Sequence, residues 1–453
     1  MPQQRSLAPV FLLGTLLLLP GCSLTKLAQI GVFNPAQATV AQHVAVESST
    51  APALLARYSI VEDTESWNTL LYGDRDFAKL ETFINQSLQR ERTDELASAY
   101  LSRLYRDLGE PPAHDDKTLT AADQEQFDHS MQVLDQWSTA YPSSHIPHLI
   151  RGQLLIHQAW EHRGESVASR VPPEAWAPFR ELIQQAQVEL ETAAQLNPQD
   201  PNVWAALLLV ARGLGQPESI WQDYYNRGLA ANPAHIELWG MKAMSLLPQW
   251  QGSEARLRAF ADEVDRRSKS ANKPMLGTIA LYIHREIDGD IPGYLQQPDV
   301  WPQVEATYAR IFAAYPDNQR MRYYYAYDAA MAQQWPVAAE QFEIIGDRWT
   351  RGTPWRSLEH YHTGRAAALY ELAAAAYDQQ RYRQAETLAL QSIDLQPNTP
   401  SYLILGAVQA AYHGNMPGVI EYAEQALANH PTPAEQQYAE DLIRQAEAHL
   451  SGK

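Results

Sequence analysis

Few residues in this chain have the types and spacing that chemistry needs, and most of them are histidines and tyrosines. His145 and His148 stand three apart and would share a helix face, whereas His360 and His362 stand two apart and would not. Neither pair has a third ligand at helical spacing, and HQAWEH (His157 to His162) lacks the adjacent His-Glu of a zinc protease. Asp288-Gly289-Asp290 is a turn signal without the repeated acidic positions and closing Glu of a calcium loop, and Asp74 and Asp76 read as helix-start residues. No GxSxG, no Gly-rich phosphate loop and no multi-cysteine set is present, since Cys22 is the one cysteine. Accordingly no metal, no cofactor and no catalytic residue is expected. Pro248, Trp250, Gly252 and Ser253 break a helical pattern, with Ser253 placed to cap the helix that follows; a helix N-terminus can hold an anion, but the simpler role is capping. The positive candidate is RMRYYYAYD (Arg320 to Asp328), because Tyr and Arg offer large apolar area with a polar tip at low rotamer cost.

The elements that position these residues are helices. In 453 residues, 45% apolar and 19% charged, there is ample material for a packed core and too much chain for one small domain. Beyond Leu54 the texture is Ala/Leu/Gln/Glu-rich, with apolar residues at three- and four-residue spacing, as in Phe77, Leu80, Ile84 and Leu88. No series of alternating Val/Ile/Thr runs marks a sheet. The 35 Lys+Arg against 53 Asp+Glu give a net charge of −18, which would repel phosphate backbones and makes nucleic acid an unsuitable partner.

The N-terminus reads as an address. Residues 1–22, MPQQRSLAPVFLLGTLLLLPGC, carry Arg5, an apolar run from Leu7 to Leu19 and a small-residue site ending at Cys22, the order of a secretory signal. The apolar run falls short of the roughly 20 residues that span a bilayer. Leu19, Pro20, Gly21 and Cys22 resemble a bacterial lipobox, with Pro20 departing from the usual small residue. That resemblance implies cleavage before Cys22, acylation of the cysteine and, with Ser23 rather than Asp next, sorting to the outer membrane. Several acyl chains anchor far more firmly than one, each buried methylene adding roughly 0.8 kcal/mol. Residues 22–54 then form the lipidated end and a small, polar tether, whose thirty or so flexible residues reach roughly 30 Å.

Helices end in a recurring way. Asn197-Pro198, Asn232-Pro233, Gln396-Pro397 and His430-Pro431 each close an apolar helix, and Tyr141-Pro142 and Tyr315-Pro316 do so within a shared AYP. Pro198 to Pro233 is 35 residues and Pro397 to Pro431 is 34, a period that means helix-pair repeats. Leu369, Leu372, Ala373, Ala385, Ala389 and Pro397, then Leu403, Gly406, Ala407, Ala423, Ala426 and Pro431, resemble the packed positions of tetratricopeptide (TPR) repeats. Looser units run from Asn202 to His235 and from Gln319 to Gly352, and Ser166 to Phe179 is an insertion. The TPR register puts Arg320, Tyr323, Tyr327, Tyr370 and Tyr377 on the concave, groove-facing side, with Tyr324 and Tyr325 packed inward. The blocks Gly73 to Leu88, Leu196 to Trp204, Leu246 to Val264 and Phe342 to Trp349 resemble an uncharacterised bacterial helical family, the domain of unknown function 4034, over roughly residues 65 to 350. That family brings no known activity.

The expectation is an all-α protein, a TPR-like α-solenoid of antiparallel helix pairs. It divides into a lipoprotein signal peptide (1–21), a lipidated N-terminus and tether (22–54), an irregular helical-repeat domain (55–352) and C-terminal TPR-like repeats (353–453). The expected work is non-catalytic: a cell-envelope scaffold, lipid-anchored through Cys22 and facing the periplasm, that captures a protein or peptide in its groove through Arg320, Tyr323, Tyr327, Tyr370 and Tyr377. Acidic rims favour a basic or neutral partner. The alternatives are an envelope enzyme or small-ligand binder acting on glycan or peptidoglycan fragments, and self-association through end repeats.

Overall fold

The computed structural model of the chain describes residues 66–91, 93–110, 120–164, 170–248, 252–350 and 353–452. Cys22, the signal, the tether and Trp250 lie outside them. Among the described residues every regular element is helical and none is a strand. No helix there is long and apolar enough to cross a membrane.

Local chemistry sets the helix ends. Asp94, Thr120, Asp200, Ser253, Asn318, Ser357, Asn398, Asn415 and Thr432 each accept a hydrogen bond from a backbone amide of the first turn, satisfying donors that the helix itself leaves free. Thr120 and Thr432 complete capping boxes with Asp123 and Glu435. At the other ends Tyr141, Asn197, Asn232, Tyr315 and Gln396, all read as stops before proline, are C-caps. Asp76 accepts from Lys79 N at a helix start, but Asp74 instead ends a π-helical turn, Thr69–Asp74. Asp288-Gly289-Asp290 is the last turn of a helix rather than a free turn, with Asp288 accepting from Leu295 N at 2.9 Å.

The helices follow one another as hairpins. α1 (Phe77–Glu91) pairs with α2 (Glu95–Gly109), and α3 (Ala121–Ala140) leads to α4 (Ile146–Arg163), which packs along α5 (Trp176–Leu196). The row continues through α6 (Pro201–Gly213), α7 (Glu218–Ala231), α8 (Ile236–Ser245), α9 (Glu254–Ser270), α10 (Gly277–Asp290) and α11 (Trp301–Ala314). It ends with α12 (Gln319–Met331), α13 (Trp335–Ile345), α14 (Leu358–Asp378), α15 (Tyr382–Leu395), α16 (Thr399–Val408), α17 (Met416–Ala428) and α18 (Pro433–Leu450). Two helix pairs therefore fill each of the long intervals, Pro233 to Pro316 and Pro316 to Pro397.

The core is uneven. One apolar cluster runs from Trp67 to Ala368 and is built on large side chains such as Tyr100, Trp137, Phe179, Tyr308 and Phe342. It continues beyond residue 353 through Trp355 and Tyr361. Downstream the buried contacts are small clusters, mostly alanine: Ala373, Ala376, Ala385, Ala389, Ala423, Ala426, Ala439 and Ala446.

Helix α2 departs from a plain solenoid. Twelve of its fifteen residues are buried, and it lies against α1, α4, α8 and the 3-10 turn Pro274–Leu276 that opens α10. Those are the first helices of successive pairs, which line the inner face of such an array. Glu95 at its start accepts from Leu276 N at 3.0 Å and from the Tyr315 hydroxyl at 3.2 Å, and Arg106 at its end reaches Glu237 at 3.1 Å. The upstream inner face is thus filled by the chain's own helix.

Candidate functional site

The densest set of reactive side chains sits where α2 meets the starts of α6 and α8. Asp200 caps α6 and accepts from four donors: Asn202 N (2.9 Å), Asn202 Nδ2 (2.8 Å), Tyr105 OH (2.8 Å) and His145 Nε2 (2.9 Å). Glu91 accepts from Asn202 Nδ2 and Asn232 Nδ2, each at 3.2 Å, with His235 Nε2 at 3.5 Å. Ser102 donates to Asn202 Oδ1 at 2.5 Å and lies 3.2 Å from His235 Nε2. Burial, helped by the Asp200 charge, pushes the Glu91 carboxyl well above the usual range. Burial would push Asp200 up too, but His145 and Asn202 outweigh it and hold that carboxyl low. The two shifts run in opposite directions, so within the pair Asp200 is the member that favours its charge and Glu91 the member that favours its proton. Burial also takes the His235 imidazole down to about 4, so it is neutral.

Two carboxyls and two imidazoles are the inventory of an acid–base centre, but acid–base work requires reach to a substrate. Here Asp200 and His235 are fully shielded, and Glu91, His145, Asn202 and Asn232 are buried. The bonds run mostly between different helices, with His235 Nδ1 left without a hydrogen-bond partner among the described residues, and the network serves as the junction that holds α2 in place. Sequence reasoning missed it because Glu91, Asp200 and His235 are spread over 144 residues of chain without any shared motif.

The histidine pairs part in the same way. His145 precedes α4 and joins the junction, while His148 turns to Glu189 of α5 at 2.7 Å beside Arg151, so the two do not converge. His360 Nδ1 accepts from Arg356 N. No cluster of three His, Cys, Asp or Glu able to hold a metal occurs among the described residues.

The RMRYYYAYD segment corrects the sequence expectation. Tyr323, expected to face the groove, is 4% exposed; its hydroxyl donates to Arg348 O at 2.5 Å and its ring packs near Tyr361. Tyr327 meets the edge of Trp355 at 5.2 Å, and Arg320 lies over the Tyr324 ring at 5.6 Å. The cause is the long connection between α13 and α14, which folds back so that Trp355 Nε1 donates to Tyr323 O at 3.2 Å and fills the space in front of α12. Tyr324 is buried, as expected, and Tyr325 is sandwiched near Trp301, Tyr308 and Phe312. Beneath them Asp328 takes Arg285 at 2.7 Å and the Tyr308 hydroxyl at 2.6 Å, a buried structural triad.

Further along, the inner face is open. α14 and α18 both pack on α16, and partly exposed tyrosines stand along this stretch. Tyr370 and Tyr377 of α14, seven residues apart, fall on one face and are half-buried. The last turn of α16 widens into a π turn, Gln409–His413, which presents Tyr412 at 42% exposure. Tyr438 of α18 is 37% exposed. The rings form a strip: Tyr377 meets Tyr382 at 5.5 Å, Tyr382 meets Tyr412 at 5.8 Å, and Arg383 donates to the Tyr412 hydroxyl at 2.7 Å. Burial raises the Tyr370 hydroxyl, and the charges of Glu371 and Glu435 add to that. Tyr377 is raised by burial with a contribution from Tyr438, which places α18 opposite α14. Tyr412 and Tyr438 were not singled out from sequence, although Tyr438 stands two 34-residue periods after Tyr370.

Comparison with known proteins adds a likeness and a family match. The crystal structure of yeast Tom70 aligns over 88% of each chain at 11% identity with a TM-score of 0.27. No curated protein matches the chain. The match to a family model stops well short of residue 350, so the blocks Leu246 to Val264 and Phe342 to Trp349 fall outside it, while Gly73 to Leu88 and Leu196 to Trp204 fall within. Residues 69–228, which hold α1 to α5, the buried junction up to Asn202, α6 and most of α7, match the family described as a domain of unknown function, DUF4034.

Proposed function

We propose that this protein is a non-catalytic, lipid-anchored scaffold of the bacterial cell envelope that captures a protein or peptide in the groove formed by α14, α16 and α18. The observation that carries the reading is the strip of partly exposed tyrosines, Tyr370, Tyr377, Tyr412 and Tyr438, on a helical-repeat face that no other segment among the described residues fills. Rings of this kind anchor interfaces because they bury much area for two rotatable bonds. The signal-like residues 1–21 and Cys22 support export and acylation, and an acidic chain gains nothing from anionic lipid, so acyl groups would do the holding. An envelope enzyme would need acid–base groups converging in an accessible cavity; the set that does converge, around Glu91 and Asp200, is sealed.

In-cell cross-linking tests this reading, with a C-terminal tag, detergent extraction and mass spectrometry on wild type, on Tyr377→Ala/Tyr438→Ala, and on Arg320→Ala. A partner enriched with wild type and Arg320→Ala but lost with the tyrosine double variant is the expected result. Capture unchanged by the tyrosine variant would remove the groove from the reading. Cys22→Ser should shift the protein from the membrane to the soluble fraction, and retention on the membrane would remove the lipid anchor.

A further inference from the structure

We propose that the depression between the end of α7, the start of α8 and the last turns of α9 binds a small organic anion, a carboxylate or phosphate carried on an apolar or ring-bearing body. It shares no residue with the α14–α16–α18 face and does not rest on the groove reading. The space is about 570 Å³, within the range of small-molecule sites. Leu229, Pro233 and Trp239 form its apolar wall, and Glu263, Arg266 and Arg267 its polar side. Trp239 Nε1 donates to Pro233 O at 3.0 Å, and Asn232 beside that proline donates to buried Glu91 at 3.2 Å. The wall is thus fixed before a ligand arrives, which lowers the cost of binding.

The preceding repeat shows what closes such a space. Trp204, 35 residues before Trp239, makes the same bond, from Nε1 to Pro198 O at 2.9 Å. Its ring meets Tyr224 at 6.2 Å and lies under the guanidinium of Arg227, three residues further along α7, at 5.4 Å. Trp239 instead meets Phe260 of α9 at 5.6 Å, and three residues further along stands Glu263, a carboxylate that an aromatic face does not attract. The chain's own cation covers the first tryptophan and not the second.

The next turn of α9 supplies two guanidiniums. Arg266 is exposed and spends its Nε on Asp262 O at 3.2 Å, while Arg267 is half-buried. The neighbouring Asp265 is taken by Lys269 at 2.6 Å and by Arg310, so it neutralises neither. Asp265 to Lys273 holds Arg266, Arg267, Lys269 and Lys273 against one acid, in a chain with 35 Lys+Arg and 53 Asp+Glu. An anion therefore meets here a local attraction that the net charge of the molecule denies it elsewhere. Guanidinium forks hold carboxylate and phosphate through paired hydrogen bonds, and two arginines against Glu263 leave the lining positive. Ser270 turns its hydroxyl to Arg267 O at 3.2 Å, which leaves the holding to the arginines. An inorganic ion would use them and leave the apolar wall bare, so the ligand needs a body as well as a charge.

Isothermal titration of the full chain in non-ionic detergent, with detergent alone subtracted, tests this with 1-naphthyl phosphate, 2-naphthoate, 2-naphthol and inorganic phosphate. Wild type should bind the two naphthyl anions about tenfold or more tightly than naphthol or inorganic phosphate. Arg266→Gln/Arg267→Gln, on a partly exposed surface, should keep the helical content and lose that advantage, and Tyr377→Ala/Tyr438→Ala should keep it. Leu229→Trp, which fills the space and leaves the charges, should weaken the naphthyl anions as well. Dihexanoyl phosphatidylglycerol separates the sources: tighter binding than naphthyl phosphate would support the site with a lipid headgroup as its ligand, and weaker binding would support it with a free metabolite. Equal affinity for naphthol and naphthyl phosphate, an advantage unchanged in the arginine double variant, or no binding of either anion at millimolar concentration would overturn the site.

Discussion

Glu91 and Asp200 share a site but divide its charge unequally, and that division can be measured. Asp200 has four donors, whereas Glu91 has two amide donors and a carboxylate neighbour, so the environment favours the proton on Glu91. A group whose folded pKa is raised holds a proton that the unfolded chain releases above about pH 4.5, so it costs stability as pH rises toward the folded value. Glu91→Gln mimics the protonated form without titrating. Its stability relative to wild type should therefore increase between pH 5 and pH 8, by at most about 1.4 kcal/mol per pH unit; urea denaturation at three pH values reads this, and a pH-independent difference would place the proton elsewhere. Asp200→Ala removes a cap and the acceptor of buried donors at once, and should cost about 3 kcal/mol or more in the same measurement. Single residues of this junction were illegible in sequence, because Glu91, Asp200 and His235 become neighbours only when α2 is laid across two later helices. Ser253 was legible because capping is local: its hydroxyl accepts from Arg256 N three residues on.

At the scale of elements, the sequence showed where helices stop and not what lies in front of them. The Pro-marked ends and the alanine positions of α14 and α15 depend on neighbours within one hairpin, so they could be read along the chain. The occlusion of Tyr323 and Tyr327 depends on a connection some thirty residues downstream, and the filling of the upstream inner face depends on a helix about a hundred residues upstream. Trp355 is the side chain that makes the first of these, touching Tyr327, Phe342 and Tyr361 within 6 Å between ring centroids. Trp355→Ala should cost about 3–5 kcal/mol and expose Tyr323 and Tyr327, read as faster iodination of those two rings in a peptide map; unchanged labelling would mean the connection does not cover them. Gly252 shows the reverse case, a break that was seen before its reason. A Cβ there would sit 1.7 Å from Leu246 O and 2.1 Å from Leu246 C, so the turn between α8 and α9 admits no side chain. Gly252→Ala should destabilise by about 1–3 kcal/mol or more, because it is backbone that must yield, and thermal melting of the single variant checks it.

For the whole molecule, the change in core composition along the chain sets the order of opening. In a repeat array each unit contacts mainly its neighbours, so stability is close to a sum of local terms and need not be uniform. The upstream part is cross-braced: α2 ties α4, α8 and the start of α10 together over more than a hundred residues of sequence, and the core there is built on Trp and Tyr. Past Ala368 no such brace exists among the described residues, and the buried residues are mainly alanines, each of which removes far less apolar area from water than a leucine or a phenylalanine. The low-stability end of a protein is also where binding surfaces that adapt to a partner are found. Native-state hydrogen exchange should accordingly show α15 to α18 opening as a unit at lower free energy than α2, α4 and α6, with a gap of several kcal/mol. Addition of a peptide that binds the groove should raise protection in α14, α16 and α18 and leave the upstream helices unchanged, because ligand stabilises only the units whose opening destroys its site. Exchange of the whole chain at one common free energy would mean that the alanine-rich array draws its stability from the upstream body, and the groove would then be a rigid surface rather than an adaptable one.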